Sequence, residues 1–462
     1  MASLSRRLAR WAAGLRFEDL PGEVVDRARG VTLQAVSSTL LGSQTEDGRR
    51  AVALITEEEA GVHAGATIMV SGAGATKGGA AFANAEMALA GGKWDTFRML
   101  THPGTSIIPA ALAAAETRGT SGAEFLTGVA AGYEVMERLA SDFIPTVMSR
   151  GFHAGPVFGI FGAAVAAAKI MGLDEDQLNS AIALCASLAS GNLEGPRSGG
   201  QALREGGAVR NALLAADLAE RGHVGGETVL EGEAGFYHAY TGNNEGRLTY
   251  SFTGDARTSL EGITEGLGEN WLFLETLFRI YSTSGYNLAH IDVTAGLCEE
   301  NDIRPEEVER VETQVNWLET QYPSPAFANR REDGAPSPGS THYYAAFGVV
   351  ERGYPLLNDP PGQDDPPGVL EMMERVRIVP SREMGLFAPR VRIFTKERGV
   401  FTRQATGREF IFSFDELAER ISGIAPGLPI PESRYREIIE TCRALDAEEK
   451  AEKLIRLTVA GA

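Results

Sequence analysis

The sequence predicts a mainly α protein, with a large all-helical domain built from both chain ends and a smaller α+β domain inserted between them. Three observations predict it. Ala- and Gly-rich helical stretches with short connections follow one another from about residue 107 to residue 220. Segments alternating apolar and polar residues appear only after about Gly268. A helical pattern then resumes toward the C-terminus. The expected boundaries are 1–268 plus 406–462 for the helical domain and 269–405 for the α+β domain.

In chain order, Ile107 to Thr117 reads as a buried helix. Ser121 and Glu124 then form a capping box, in which each residue satisfies an orphan backbone donor of the other, before FLTGVAAGYEVMERLA. Pro156 is expected to open VFGIFGAAVAAAKIMG, which is apolar nearly all round and therefore central, and Gly172 to end it. Asp174 and Gln177 cap the next helix, and another runs from about Ala208 to Glu220. Five helices in succession argue against a βαβ alternation. Further on, Asp292–Glu300 keeps a helical pattern. Val311, Thr313 and Val315 then alternate as a half-buried strand does, and residues 376–379, 391–395 and 400–405 repeat that signature. Gly399 suits a turn between the last two. Asn358–Gly368 is a loop by composition. Ser413 and Glu416 form a further capping box, and the helical tail from Ser433 to Val459 is expected to return to the first domain.

Composition narrows the function. There are 43 Lys+Arg against 62 Asp+Glu, a net charge of −19, with no Lys/Arg-rich block. Nucleic acid and anionic membrane surfaces, which need a basic footprint, are excluded as partners. No run of about 18 apolar residues exists to span a membrane. The first 15 residues lack the apolar core of a secretory signal. Cys185, Cys298 and Cys442 are too few and too scattered for a disulfide framework or a CxxC metal site. A cytoplasmic location is the expectation.

Several motifs carry little. Ser71–Gly79 is Gly-rich but lacks the Walker spacing and a βαβ context, so it reads as a turn before a helix. His290-Ile-Asp292 is the only close His/carboxylate pair, and neither HExxH nor GxSxG occurs. Among seven histidines, two stand out. His102, in Leu-Thr-His-Pro-Gly, and His153, in Gly-Phe-His-Ala-Gly-Pro, each occupy a Gly/Pro turn directly before an apolar helix. A helix N-terminus favours a neutral imidazole or a bound anion. A neutral imidazole suits a general base, and a carboxylate substrate supplies the anion. The plainer reading is that each His simply caps its helix.

These stretches resemble the MmgE/PrpD family, which includes 2-methylcitrate dehydratase, cis-aconitate decarboxylase and iminodisuccinate epimerase. The similarity covers most of the chain. It runs through Ala83-Asn84, Trp94-Asp95-Thr96, Thr101-His102-Pro103-Gly104 and Gly151-Phe152-His153. It continues through Leu230-Glu231-Gly232, Gly235-Phe236, Tyr281, His290-Ile-Asp292, and Ser340 with Tyr343 and Ala346. The resemblance implies a helical domain from both chain ends with a smaller α+β lid, a homodimer, no metal, no organic cofactor and an active site between the domains. It implies proton abstraction next to a carboxylate of a small organic acid, followed by loss of water or CO2 or by reprotonation.

Departures from the family pattern are specific. The family's acidic run reads Asp-x-Asp-Asp-Thr with a His three residues upstream; the matching positions are Gly92, Trp94, Asp95, Thr96 and Leu89. Gln201 stands where a family Lys is expected, and Arg279 replaces the Lys before the domain-junction Tyr. Losing a cation makes methylcitrate a poorer fit and points to a changed substrate. On this reading His102 is the base or acid and His153 its partner. Asp95 orients an imidazole or binds a substrate hydroxyl, and Thr96 hydrogen-bonds substrate. Arg279 and Arg204 hold carboxylates, Arg204 replacing the charge lost at Gln201. Tyr281 and Tyr322 are further donors. The expected activity is a cofactor-independent lyase, a dehydratase or decarboxylase. The alternatives are an isomerase or epimerase using the same two histidines, and a non-catalytic ligand-binding member of the family.

Overall fold

The computed structural model describes residues 2–59, 61–62, 65–194, 205–321, 336–357 and 361–459. Its chain forms two compact units, residues 1–278 with 412–462 and residues 279–411. The junctions fall somewhat later than the composition change at Gly268 and the strand end at Ala405 suggest.

The first unit is built from helices α1 (Leu4–Gly14), α2 (Gly22–Gly42), α3 (Glu46–Glu59), α4 (Lys77–Ala90), α5 (Pro103–Arg118) and α6 (Gly122–Ala140). It continues with α7 (Ile144–Ser149), α8 (Ala154–Ile170), α9 (Glu175–Leu188), α10 (Glu205–Glu220) and α11 (Phe236–Thr241). Two short ribbons interrupt the helices. One pairs β1 (Ala66–Thr67) with β2 (Gly74–Ala75), the other β3 (Asp95–Thr96) with β4 (Leu277–Phe278). The Gly-rich segment from Ser71 is thus a hairpin turn whose Thr76 caps α4 by accepting from the Gly79 N–H.

Every residue of α8 is buried except Lys169. It packs against α5, α6, α9 and α10, as an all-apolar helix must. The helix begins at Ala154 with His153 at the N-cap, two residues earlier than Pro156 suggested. Small residues set the spacing. A Cβ on Gly132 of α6 would lie 2.6 Å from the Gly162 carbonyl oxygen of α8. One on Gly159 would lie 2.8 Å from Ser106 Oγ, and one on Gly162 2.8 Å from Ile107 Cδ1. Ser106, in the first turn of α5, thus lies against Gly159, in the second turn of α8. Gly128 lies against Ile170 and Gly132 against Gly162, so α6 is antiparallel to α8. Gly132→Ala forces backbone apart at this contact. It should cost about 1–3 kcal/mol by overpacking, read as a lower midpoint in denaturant unfolding.

The second unit holds α12 (Gly285–Glu300), β5 (Val308–Asn316), α13 (Thr341–Glu351), α14 (Val369–Met373), β6 (Val376–Ser381), β7 (Arg390–Thr395) and β8 (Gly399–Gln404). The four strands form one sheet in the order β6-β5-β7-β8, parallel between β5 and β6 and antiparallel elsewhere. Gly399 has φ +86°, which a residue without Cβ adopts freely in the β7–β8 hairpin. One sheet face and the α12–α13 pair bury Ile291, Leu297, Val311, Phe347, Val391 and Ile393 together. After residue 411 the chain returns to the first unit as α15 (Phe414–Ile421), α16 (Glu432–Arg443) and α17 (Lys453–Thr458). No helix among the described residues is long and apolar enough to cross a membrane.

Candidate active site

The candidate residues of the first unit gather at the N-terminal ends of α5 and α8. Ribbon β3–β4 presents Asp95 and Thr96, registered against Phe278 and Leu277. The loop leading to α5 closes on itself, with the Phe97 N–H donating to the Thr101 carbonyl at 3.3 Å. Two of its residues, Arg98 (φ +50°) and Leu100 (φ +48°), are held in left-handed backbone. Such strain costs on the order of 1–3 kcal/mol per residue and persists where the surroundings impose it. The loop delivers His102 to the N-cap of α5, where 5% of the residue is exposed.

His102 Nδ1 lies 3.0 Å from the Asp95 main-chain oxygen and 3.3 Å from Thr96 Oγ1. A carbonyl oxygen only accepts, so Nδ1 carries the hydrogen and the neutral ring has its lone pair at Nε2. Trp94 lies against the imidazole, ring centroids 4.6 Å apart. Trp94 and Thr96, alternate residues, thus meet the ring, while the Asp95 side chain points elsewhere. Its two carboxylate oxygens each accept from the Gly104 N–H at 3.0 Å, and Tyr133 of α6 donates its hydroxyl to Oδ2. Burial, and then the Asp95 charge, push the Tyr133 phenol well above its usual range, so it stays a donor.

One turn along α6, burial pushes the Glu137 carboxyl well above the carboxylate range, and the nearby Glu134 and Asp95 charges push the same way. Its Oε1 takes a hydrogen bond from Thr276 Oγ1 at 2.5 Å, immediately before β4. Helix α6 therefore grips both strands of the ribbon.

His153 occupies the N-cap of α8, and its own N–H donates to the Gly191 carbonyl at 3.3 Å. Here Nδ1 accepts from the Gly155 N–H at 3.1 Å, so in the neutral ring the hydrogen sits on Nε2. Because Ser106 meets Gly159, the N-terminal turns that carry the two histidines pack against each other. One presents a lone pair at Nε2 and the other an N–H.

A family model described as the MmgE/PrpD N-terminal domain matches residues 6–249, which contain both histidines, Trp94, Asp95, Thr96, Tyr133 and Glu137. The chain belongs to the MmgE/PrpD family. It is similar to the cis-aconitate decarboxylase-like protein oryM of Aspergillus oryzae, 28% identical over 299 residues, 61% of this chain and 59% of that protein. Cis-aconitate decarboxylase of Aspergillus terreus is 26% identical over 307 residues, 64% of this chain and 59% of its own length. The human cis-aconitate decarboxylase is 28% identical over 256 residues, 51% of this chain and 50% of its own length. The matches thus span 50–59% of these relatives.

The remaining expected site residues of this MmgE/PrpD chain belong to the second unit or lie outside the described residues. Arg279 and Tyr281 belong to the second unit. The buried Arg279 guanidinium donates through Nη2 to the Thr283 carbonyl, and the Tyr281 hydroxyl donates to Asp292 Oδ1 at 3.0 Å. In the same unit His290 is fully buried, with Nδ1 2.8 Å from the Tyr286 carbonyl, and burial lowers its pKa to about 4. Gln201, Arg204 and Tyr322 lie outside the described residues. Gly92, at the position of the family's first Asp, has φ +73°, a conformation that penalises a side chain. No group of three or more His, Cys, Asp or Glu among the described residues is placed to hold a metal.

Four residues escaped the sequence reading as site members. Trp94 packs on His102, Tyr133 anchors Asp95, and Lys93 is fully buried beside them in sequence. Glu205, at the start of α10, is fully buried near His153: a Cβ on Gly155 would lie 2.7 Å from its Oε1 and 2.9 Å from His153 Cε1. Only Trp94 left a signal, as part of a family-like stretch. Tyr133 and Glu205 meet their partners Asp95 and His153 across 38 and about 50 residues.

Proposed function

We propose that this chain is a cofactor-independent lyase acting on a small polycarboxylic acid, with decarboxylation of an acid of the cis-aconitate class as the first reaction to test. The observation that carries the reading is the pair of buried N-cap histidines of α5 and α8, one with a basic lone pair at Nε2 and one with an N–H there to donate a hydrogen bond. The names of the similar proteins supply the substrate class.

The chemistry balances with these two groups. In decarboxylation, the C–CO2 bond breaks, its electron pair returns to the carbon framework, and His102, protonated at Nε2 as the imidazolium, supplies the proton that replaces CO2. In dehydration, His102 Nε2 takes a proton from carbon and, as the imidazolium so formed, gives it to the departing hydroxyl, yielding water and an alkene, while the His153 Nε2–H hydrogen-bonds the developing negative charge. Each proton transfer by a positioned imidazole contributes typically about 10²–10⁴-fold. The second reading, an epimerase, is favoured by the same observation: a lone pair suits removal of a proton from carbon, an N–H suits holding the negative charge that develops, and reprotonation on the other face inverts the centre.

Incubation in D2O with cis-aconitate, hydroxy acids and amino acids, stepping from tri- to dicarboxylates, distinguishes these by proton NMR. Loss of substrate to a decarboxylated or unsaturated product is the expected result. Exchange of one C–H for deuterium with the skeleton kept selects the epimerase. Silence across the panel, with a folded protein, overturns both.

A further inference from the structure

The protein contains its own control for what a histidine does at a helix N-cap. His102-Pro103-Gly104 and His153-Ala154-Gly155 place an imidazole at the N-cap and a glycine at the second helical position of α5 and α8. The free N–H groups of a helix's first turn need acceptors, and the N-cap side chain is the usual one. His153 behaves accordingly: its Nδ1 accepts from the Gly155 N–H at 3.1 Å, which places the ring hydrogen on Nε2. His102 makes no cap bond to its own helix. The equivalent N–H, that of Gly104, is taken by the Asp95 carboxylate at 3.0 Å to both oxygens.

We propose that Asp95 determines the tautomer of His102. By capping α5 in place of the imidazole, its carboxylate leaves Nδ1 to donate to the Asp95 carbonyl and keeps the lone pair on Nε2. One residue thus contributes two groups, a side chain that replaces the imidazole as cap and a carbonyl that receives the Nδ1–H. Tyr133 holds the carboxylate in that position from α6. Gly104 leaves room for it: a Cβ there would lie 2.8 Å from the Tyr133 hydroxyl and 3.0 Å from Asp95 Oδ2. Asp95 is therefore a positioning residue rather than a proton carrier. The two histidines differ in proton placement because one helix is capped by a residue outside its own N-cap.

The catalytic consequence rests on the proposed function; the tautomer does not, so it is read directly. Long-range proton–nitrogen NMR of the imidazoles, assigned with His102→Gln and His153→Gln, should show one Nδ1–H and one Nε2–H ring in the wild type. In Asp95→Ala the Gly104 N–H loses its acceptor and His102 should turn to the Nε2–H form. Asp95→Asn keeps an acceptor oxygen for that N–H and should retain Nδ1–H. On the assigned substrate, Asp95→Ala should lower kcat by about 10²-fold or more with KM changed less than threefold, and Asp95→Asn should recover most of the loss. Should Asp95→Ala fail to fold, Tyr133→Phe serves instead, with a mixture of both tautomers at His102 expected. An unchanged Nδ1–H ring in Asp95→Ala or, in its place, in Tyr133→Phe overturns the proposal. Full turnover in His102→Gln would overturn the catalytic reading alone and leave the tautomer result standing.

Discussion

His102→Gln should lower turnover by at least about 10²-fold while leaving the melting temperature within a few degrees of the parent. The imidazole contributes little to holding its own helix, because the Gly104 N–H is satisfied by Asp95 and not by His102. What the substitution removes is a ring oriented from two sides, by the Asp95 carbonyl at Nδ1 and by the Trp94 face. Glutamine can still donate to that carbonyl but offers no basic nitrogen. Initial rates on the substrate assigned by the NMR panel, alongside thermal melts, check this. Rates within threefold of the parent would remove His102 from the chemistry and favour the ligand-binding reading. His153→Gln is the informative companion. Its imidazole does cap α8, so a loss of activity there is expected to come with a loss of stability, typically about 1 kcal/mol for a removed cap.

The second large effect is on stability, through Glu319. This carboxyl is 2% exposed in the second unit, and its Oε1 accepts from the Phe387 N–H at 2.7 Å. Burial raises its pKa to about 8, against an ordinary value of 4.5. The folded state therefore holds a proton on this group between roughly pH 4.5 and 8 that the unfolded chain has released. Where the folded state binds more protons, stability falls as pH rises. Glu319 is neutral in both states at the acid end of that window, and stability is lost progressively until the folded group ionises near pH 8. The contribution amounts to at most about 5 kcal/mol, since each tenfold change in proton affinity is worth about 1.36 kcal/mol. Glu319→Gln keeps an acceptor for the Phe387 N–H and carries no charge in either state. Denaturant midpoints at pH 5.5 and 8.5 should converge in the variant relative to the parent, with the variant the more stable at pH 8.5. A parent whose own midpoints are unchanged between these pH values would refute the assignment.

The legible parts of the sequence were those whose causes are local. Three capping boxes, Ser121/Glu124, Asp174/Gln177 and Ser413/Glu416, start the helices they were expected to start. Each is a closed exchange of hydrogen bonds across three residues, independent of anything distant. Alternation located β5, β6, β7 and β8, since one face of that sheet is buried. Pro156 misled because a proline fits anywhere in a helix's first turn, where no N–H partner is needed, and so marks the turn and not its first residue. The short β3–β4 ribbon left no signal at all: two residues pair with two others nearly 200 positions away, too few for a periodicity. The same holds for Tyr133, which reads as one more large residue on an apolar helix until Asp95 is placed against it.

Sequence alone determined the helical and α+β composition, the family resemblance and the two histidines as the groups to watch, because helix caps, strand alternation and motif order are carried by neighbouring residues. It could not determine what those histidines do. Both sit in the same local setting, at a helix N-cap two residues before a glycine, and by local rules both should cap their helices through Nδ1. Only the tertiary structure separates them, by bringing Asp95 and Tyr133 onto the N-terminus of α5, where the carboxylate takes the Gly104 N–H, whereas the Gly155 N–H of α8 is taken by His153 itself. A proton's position on an imidazole is decided by the acceptor facing the ring, and which acceptor faces it is a property of packing.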